Sequence, residues 1–473
     1  MDESAVDRAG ALEQLASRRF DLLVVGGGIV GAGIAEAATA HGMRVALVDK
    51  GDFAGATSSA SSKLVHGGLR YLRLGDIGLV REAHHERRLL MTVVAPHLVR
   101  RLPFLLPLYE DGPYRPWFVQ SGIILYSTLA RARLNGLVGV ERAQRMVPEL
   151  RTEGLRSCAL YADAWTNDAR LTLANLRAAQ NGGAVVLNYA EVVGLKPLEV
   201  VADGRTIAVD AARVVNASGP WVDRVRRLED PAAKPSMRLS KGVHVVVDGA
   251  EDWRAALTIS HDKVRVSFAV PWEGKLLLGT TDTLHEGEPE TVAVTDEDVR
   301  QVLDEAAVAV GSVGPPRVTF AGLRVLPGGE GGTASARRET VYTTGPTGMV
   351  SVAGGKLTTY RRIALEALDH LGVRALSRRP RPLPGATGLE HIAWPGELDA
   401  ATRNHLLHLY GSLALEVLAP AADDPSLLEP LVAGRPDVRA QELYARTHEW
   451  ALTDEDVLRR RTTGWLASAH AEA

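Results

Sequence analysis

Residues 22 to 49 read LLVVGGGIVGAGIAEAATAHGMRVALVD, a stretch that leaves the chain little choice of fold. The apolar run LLVV ends in Gly26, Gly28 and Gly31, a GxGxxG pattern. A helix of small residues follows, and a second apolar run, MRVALVD, closes on Asp49. Strand, glycine turn, helix and strand at this spacing make the first unit of a doubly wound parallel sheet. The glycines serve a tight turn, the approach of backbone to a pyrophosphate and close helix packing. The helix N-terminus stabilises the phosphate charge, and Asp49 binds a ribose hydroxyl pair. The unit predicts a dinucleotide site and does not separate NAD from FAD.

The rest of the chain must be built around that unit. At 473 residues it exceeds what one core usually supports, so two or three domains are expected. Residues 240 to 282 alternate in the manner of antiparallel strands (KGVHVVVD, VRVSFAVPW, KLLLGTTD), and the Arg/Pro-rich SRRPRPLPGATG, 377–388, reads as a linker to a helical C-terminal region. A net charge of -3 gives no electrostatic reason to expect nucleic acid. The single cysteine, Cys158, excludes an intrachain disulfide and a cysteine-rich metal cluster, and its apolar setting predicts a buried small side chain. The N-terminal MDESAVDRAGALEQLASRRFD lacks the apolar core of a secretory signal, which predicts a cytoplasmic protein. No run reaches the roughly 18 apolar residues of a membrane span. The nearest, 117–130 (WFVQSGIILYSTLA), reads as a buried helix or as a helix lying at an interface.

Two further strands end in glycine. GGKLTT at 354–359 is not a phosphate-binding P-loop, because Val350 stands where the first glycine belongs and Leu357 follows Lys356. It reads instead as a strand ending in a backbone turn near a planar ligand, with a helix starting there. VVNASGPWVD at 214–223 repeats the logic at Ser218 and Gly219. Several such tips converging on one crevice describe a dinucleotide site with a substrate pocket beside it. A fourth segment, ATSSASSKLVHGGLRYLR, is too polar and glycine-broken for a core strand and reads as a lining.

Taken in order, GGGIVGAGIA, ATSSASSKLVHGGLRYL, DARLTLAN, NASGPWVD, SKGVHVVV, VPWEGKLLLGTTDT and VAGGKLTTYR resemble the FAD-dependent glycerol-3-phosphate dehydrogenases, flavoproteins of the D-amino-acid-oxidase-like superfamily, over about residues 20 to 375. Gly322-Leu323-Arg324-Val325 and ARRET at 336–340 depart from that family's Gly-Val-Arg-Pro and Ser-Arg-Asp. The resemblance implies an α/β fold: a Rossmann-like FAD-binding domain (1–95, 151–235 and 336–376), an inserted antiparallel-sheet substrate domain (96–150 and 236–335) and, past the linker, a C-terminal all-helical cap (389–473). It implies oxidation of sn-glycerol 3-phosphate to dihydroxyacetone phosphate, with hydride to flavin N5, a quinone as acceptor and attachment to the inner face of the cytoplasmic membrane. Arg131 and Arg133 behind the apolar stretch suit a peripheral contact. The oligomeric state is left open, a homodimer included.

On this reading Thr57, Ser58, Ser59 and Ser62 hydrogen-bond the flavin nucleotide, and Gly67-Gly68 brings backbone to the ring system. Ser218, Gly219, Gly354, Gly355, Lys356, Leu357 and Thr358 complete the cofactor set. A phosphate dianion calls for fixed cations, for which the candidates are Arg70, Arg265, Arg324 and Lys356, joined by Tyr71 and Thr359; ordinary ion pairing is the competing reading for each arginine. The alcohol needs a base. His66 has a suitable intrinsic pKa but could equally be a neutral hydrogen-bonding histidine, and Lys356 could serve if desolvated. With Arg70 these make the catalytic set. His84, His85, His405 and His408 read as solvated helix faces, and His244 as a core or cofactor-site residue. The rival readings are an oxidase handing electrons to oxygen, an amine or amino-acid oxidase of the same fold, whose carboxylate needs fewer cations, and a nucleotide-binding protein without turnover.

Overall fold

The computed structural model describes residues 6–68, 76–129, 136–263, 265–328, 340–394, 397–467 and 471–472. Arg70, Tyr71, Arg131, Arg133, Arg337 and Arg338 lie outside the described residues.

The chain builds two sheets by turns. Strand β1 (Leu22–Val25), helix α1 (Ile29–Ala40) and β2 (Val45–Val48) are the opening unit. The chain then leaves for a second sheet with β3 (Arg100–Tyr109), helix α2 (Pro116–Leu129) and β4 (Leu155–Trp165). It returns through α3 (Asp168–Asn181), β5 (Val185–Leu187) and β6 (Val214–Asn216). A second excursion adds β7 (Met237–Val247), β8 (Ala256–Ser260), β9 (Val266–Trp272), β10 (Lys275–Gly279) and β11 (Val318–Pro327). The last return gives β12 (Thr340–Thr344), β13 (Val350–Gly354) and α4 (Tyr360–His370).

The first sheet has the order β12-β13-β6-β1-β2-β5. All its neighbours are parallel except β12 and β13. Both β1 and β2 are buried at every position, which is why they read as unbroken apolar runs. Because β13, β6 and β1 are neighbours pointing the same way, their glycine-tipped ends meet at one edge. Helices α1, α3 and α4 share a core on this sheet through Ala32, Ala35, Leu173, Leu176, Ile363 and Leu368. A Cβ at Gly31 would stand 1.9 Å from the Gly26 carbonyl oxygen, so only glycine lets α1 start this close to the turn.

The second sheet has eleven strands among the described residues and carries β11-β7-β10-β9-β8-β3-β4 in that order. It is antiparallel apart from β3 beside β8 and a C-terminal pair, Ala471–Glu472, beside β11. Residues 151–165, grouped above with the dinucleotide part, supply β4 to this sheet. The strand pairs with β3 from Arg100 opposite Trp165 to Leu108 opposite Ser157, and Cys158 is buried within it.

The C-terminal helices, among them Ala400–Tyr410 and Arg439–His448, dock on both sheets through buried charges. Arg170 of α3 makes two hydrogen bonds to Glu449, at 2.6 and 2.7 Å. Glu273, in the turn between β9 and β10, lies 3.4 Å from His408 and 3.8 Å from His405, and its carbonyl accepts from Arg435 at 3.0 Å. His405 also pairs with Asp437 at 2.8 Å. His405, His408 and His84 are thus buried, not solvated as their helices suggested; of the four, His85 is exposed. Periodicity shows that a helix has two faces, and it does not show that the polar one meets another unit.

Burial by itself would lower the His405 pKa, but Asp437 and Glu273 outweigh it and raise it to about 9. The folded value lies above that of the unfolded chain, so this histidine's contribution is complete below about pH 6.5 and is lost as pH rises through about 9. Thermal unfolding followed from pH 6.5 to 9.5 is therefore expected to show a falling midpoint. His405→Gln should start from a lower midpoint and lose most of that decline.

Candidate active site

A cavity of about 1160 Å³ runs along the joined strand ends, between the two sheets and up to α2. At one end its wall is Gly26, Gly28, Asp49 to Asp52, Ser218 and Gly219. Gly26 has φ +108°, and a side chain at Gly219, φ +57°, would meet nothing within 4 Å, so the turns leave the volume open. The Asp49 carboxylate accepts the amides of Gly27 at 2.7 Å and Gly51 at 2.9 Å. Burial nevertheless pushes its pKa up to about 6. A buried, hydrogen-bonding carboxylate beside a glycine turn suits a ribose diol, and the start of α1 suits a diphosphate. The long, open wall and this donor set fit an extended dinucleotide.

The segment after β2 is held mostly from behind. Thr57 Oγ1 donates to the Leu323 carbonyl at 2.7 Å, Ser58 Oγ accepts the Ile29 amide at 2.9 Å and Ser62 Oγ lies 2.9 Å from His244 Nε2. These three residues line the cavity; Ser59 does not, its hydroxyl pointing back to the Ala56 carbonyl at 3.3 Å. Lys63, part of the basic run that read as a lining, is buried inside the wall. It donates to Asp168 at 2.7 Å and to the Ser59 carbonyl, and its ammonium lies 5.2 Å from the Trp272 ring. Asp168 also accepts the Ser61 hydroxyl at 2.6 Å.

Gly68 lines the cavity and Gly67 does not. The need for glycine at 67 comes from the protein side. A Cβ there would lie 2.3 Å from the His84 ring and 2.6 Å from Tyr126 Oη. The Gly67 amide is given to Asp163 at 3.0 Å, a buried carboxylate that also accepts from Tyr126 at 2.8 Å and from Arg87. Neighbouring His66 faces the cavity, while its own amide and carbonyl engage Thr358 Oγ1 at 3.1 and 3.3 Å.

Lys356 and Arg324 belong to the same cavity wall. The Arg324 guanidinium donates to Thr280 Oγ1 at 2.9 Å, to the Thr281 carbonyl at 3.1 Å and to Ser240 Oγ at 3.3 Å, with Asp282 3.8 Å away. It is thereby fixed before any substrate arrives. Gly354, Gly355, Leu357 and Thr358 share this wall, whereas Thr359 is buried ahead of α4 and Gly31 is buried beneath the turn. Arg265 does not reach the cavity. Val266 and Phe268 face it, so the strand's two-residue period turns Arg265 away, where it pairs with Glu305 at 2.5 Å. Arg70 and Tyr71 fall outside the described residues.

The sequence reading left His244 undecided and passed over Ser240, Thr280 and the apolar side of α2. His244 lines the cavity with its ring 4.9 Å from that of Phe320. Burial, then the charges of Arg324 and Lys63, hold its pKa well below the usual histidine value. The signal for Thr280 was present in GTTDT, since a polar break after the apolar KLLL marks where the strand leaves the core. Nothing marked Phe118, Ile123 and Leu125 of α2 as cavity residues, because an amphipathic helix does not announce what its faces meet.

Comparison with known proteins accords with this geometry. Residues 21–361 match the family model of FAD dependent oxidoreductases, and 325–473 match the C-terminal domain of alpha-glycerophosphate oxidase. Glycerol-3-phosphate dehydrogenase 2 of Mycobacterium tuberculosis is 38% identical over 96% of this chain and 82% of its own length. The glycerol-3-phosphate dehydrogenase of a Synechocystis species is 33% identical over 95% of this chain and 89% of its own. Among solved structures, glycerol-3-phosphate dehydrogenase from Bacillus halodurans, complexed with FAD, superposes with a TM-score of 0.74 at 29% identity, covering 97% of this chain and 88% of that one.

Proposed function

The chain belongs to the FAD-dependent glycerol-3-phosphate dehydrogenase family, and from that membership we propose that it oxidises sn-glycerol 3-phosphate to dihydroxyacetone phosphate and passes the electrons to a quinone. The observation that carries the substrate is Arg324. Its guanidinium is held by three hydrogen bonds on the wall that also presents Lys356 and His66. Two cations on one cavity wall suit a phosphate dianion better than a lone carboxylate.

Bound FAD supplies the acceptor for the hydrogen on the alcohol carbon. Gly26, Gly28, Asp49, Ser218, Gly219, Gly354, Gly355, Leu357 and Thr358 would hold it, together with Thr57, Ser58, Ser62 and Gly68. The chain does the rest. Arg324 and Lys356 bind the phosphate and fix the carbinol carbon. His66 takes the hydroxyl proton as the carbonyl forms, its backbone tied to Thr358 on both sides. His244 is the poorer base, since its burial beside Arg324 and Lys63 disfavours the imidazolium that proton transfer would create.

The acceptor and the membrane contact rest on α2. Trp117 is 70% exposed, Phe118 49%, Ile124 43% and Leu125 43%, while Phe118, Val119 and Ile123 of the same helix line the cavity. No helix among the described residues is long and apolar enough to cross a membrane. A helix whose exposed apolar residues Phe118 and Leu125 also line the active cavity supports peripheral attachment to the inner face of the cell membrane and delivery of an apolar quinone.

Three outcomes are expected. Glycerol 3-phosphate added without oxygen to the FAD-loaded protein bleaches the flavin absorbance, a quinone analogue restores it, and air produces little hydrogen peroxide. Arg324→Ala raises KM for glycerol 3-phosphate by about 10- to 100-fold with bound FAD unchanged. His66→Asn slows anaerobic bleaching by about 100-fold or more and removes the acidic limb of the kcat/KM profile. Peroxide formed at the rate of turnover would replace the quinone by oxygen.

A further inference from the structure

Asp52 lies three residues beyond the proposed ribose-binding Asp49, and its side chain is buried. From the first sheet it accepts Asn188 Nδ2 at 3.0 Å. Its other partners come from the far end of the chain: Arg460 through Nε, and Arg461 through Nη1 and, at 2.8 Å, Nη2. Arg461 is wholly buried and also donates to the Glu449 carbonyl at 2.7 Å. Arg460 reaches on to Asp456 at 2.7 Å, a carboxylate that accepts Tyr189 Oη at 2.8 Å. Beside this network the Phe53 and Trp450 rings meet edge to face at 5.4 Å, and the Trp450 carbonyl accepts Asn188 at 2.7 Å.

The loop presenting Asp49 is therefore gripped by the C-terminal unit, and that unit also reaches the ligand space. Arg460 and Glu455 lie on the cavity wall together with Asp49, Lys50, Gly51 and Asp52. We propose, building on the FAD reading, that the C-terminal helical unit is part of the dinucleotide site: Arg460 and Glu455 face the adenosine end of the cofactor, and docking of the unit through Asp52 is coupled to cofactor retention. A guanidinium and a carboxylate offer donors and acceptors to a ribose and an adenine. Coupling is reciprocal, so whatever favours the docked unit tightens FAD, and FAD favours the docked unit by the same factor.

Two measurements on the full chain test this. The first is the Kd for FAD, from quenching of flavin fluorescence on adding the apo-protein. Arg460→Ala is expected to weaken it by about 10-fold or more, and Glu455→Ala by about 3-fold. Glu455 has a side chain 70% exposed, so the second variant folds normally and should leave the apo-protein's melting temperature unchanged. The second measurement uses the unaltered chain, with trypsin cutting at the exposed Arg374, just before the linker, and Arg378 within it. Saturating FAD should slow that cleavage by about fivefold or more. FAD affinity within twofold of the unaltered chain in both variants, with linker cleavage indifferent to FAD, overturns the proposal alone. An unaltered chain that takes up no FAD overturns the cofactor reading and this proposal with it.

Discussion

A carboxylate removed from water must be surrounded by donors, and three of them fix the shape of this active cavity. Asp52 anchors the loop that presents Asp49, Asp168 the serine-rich segment, and Asp163 the backbone at Gly67. Each is answered by at least one buried cation: Arg460 and Arg461, Lys63, and Arg87 in turn. Each pair joins parts of the chain far apart in sequence. These buried pairs hold the segments of the cavity wall in place, and His66, Lys356 and Arg324 stand on that wall.

That arrangement explains what could be read from the sequence and what could not. The glycine-tipped strands were legible because each is a local event: an apolar run, a turn without side chains, a helix start. Their meeting at one edge then follows from parallel pairing of β1, β6 and β13. Arg324 and Lys356 were legible because each is a cation set in or just past an apolar strand, β11 and β13, where a core residue would otherwise be expected. Lys63 misled because a basic residue following two serines looks solvated, and its partner lies 105 positions away. Arg265 misled because its neighbour Val266, one step along the strand, is the residue that faces the cavity.

The histidines make the same point about long range. His84, His405 and His408 stand on helices with ordinary polar faces, and the sequence places no cysteine or acid at metal-ligand spacing from them. Their actual surroundings are Tyr126, Asp437 and Glu273, from other parts of the fold. The C-terminal unit, whose sequence carries no glycine motif, is likewise tied by Arg170, Asp52 and Glu273 to both sheets.

The alternation of the chain between its two sheets has a consequence for biosynthesis. Strand β1 emerges from the ribosome long before β13, the strand that carries the Gly354 turn. Once β5 and β6 have joined β2 and β1, the nucleotide-binding sheet keeps β6 as an open edge until β13 is made. Such a nascent chain exposes sticky edges for many seconds at ordinary elongation rates, which makes it a natural client for chaperones during its manufacture.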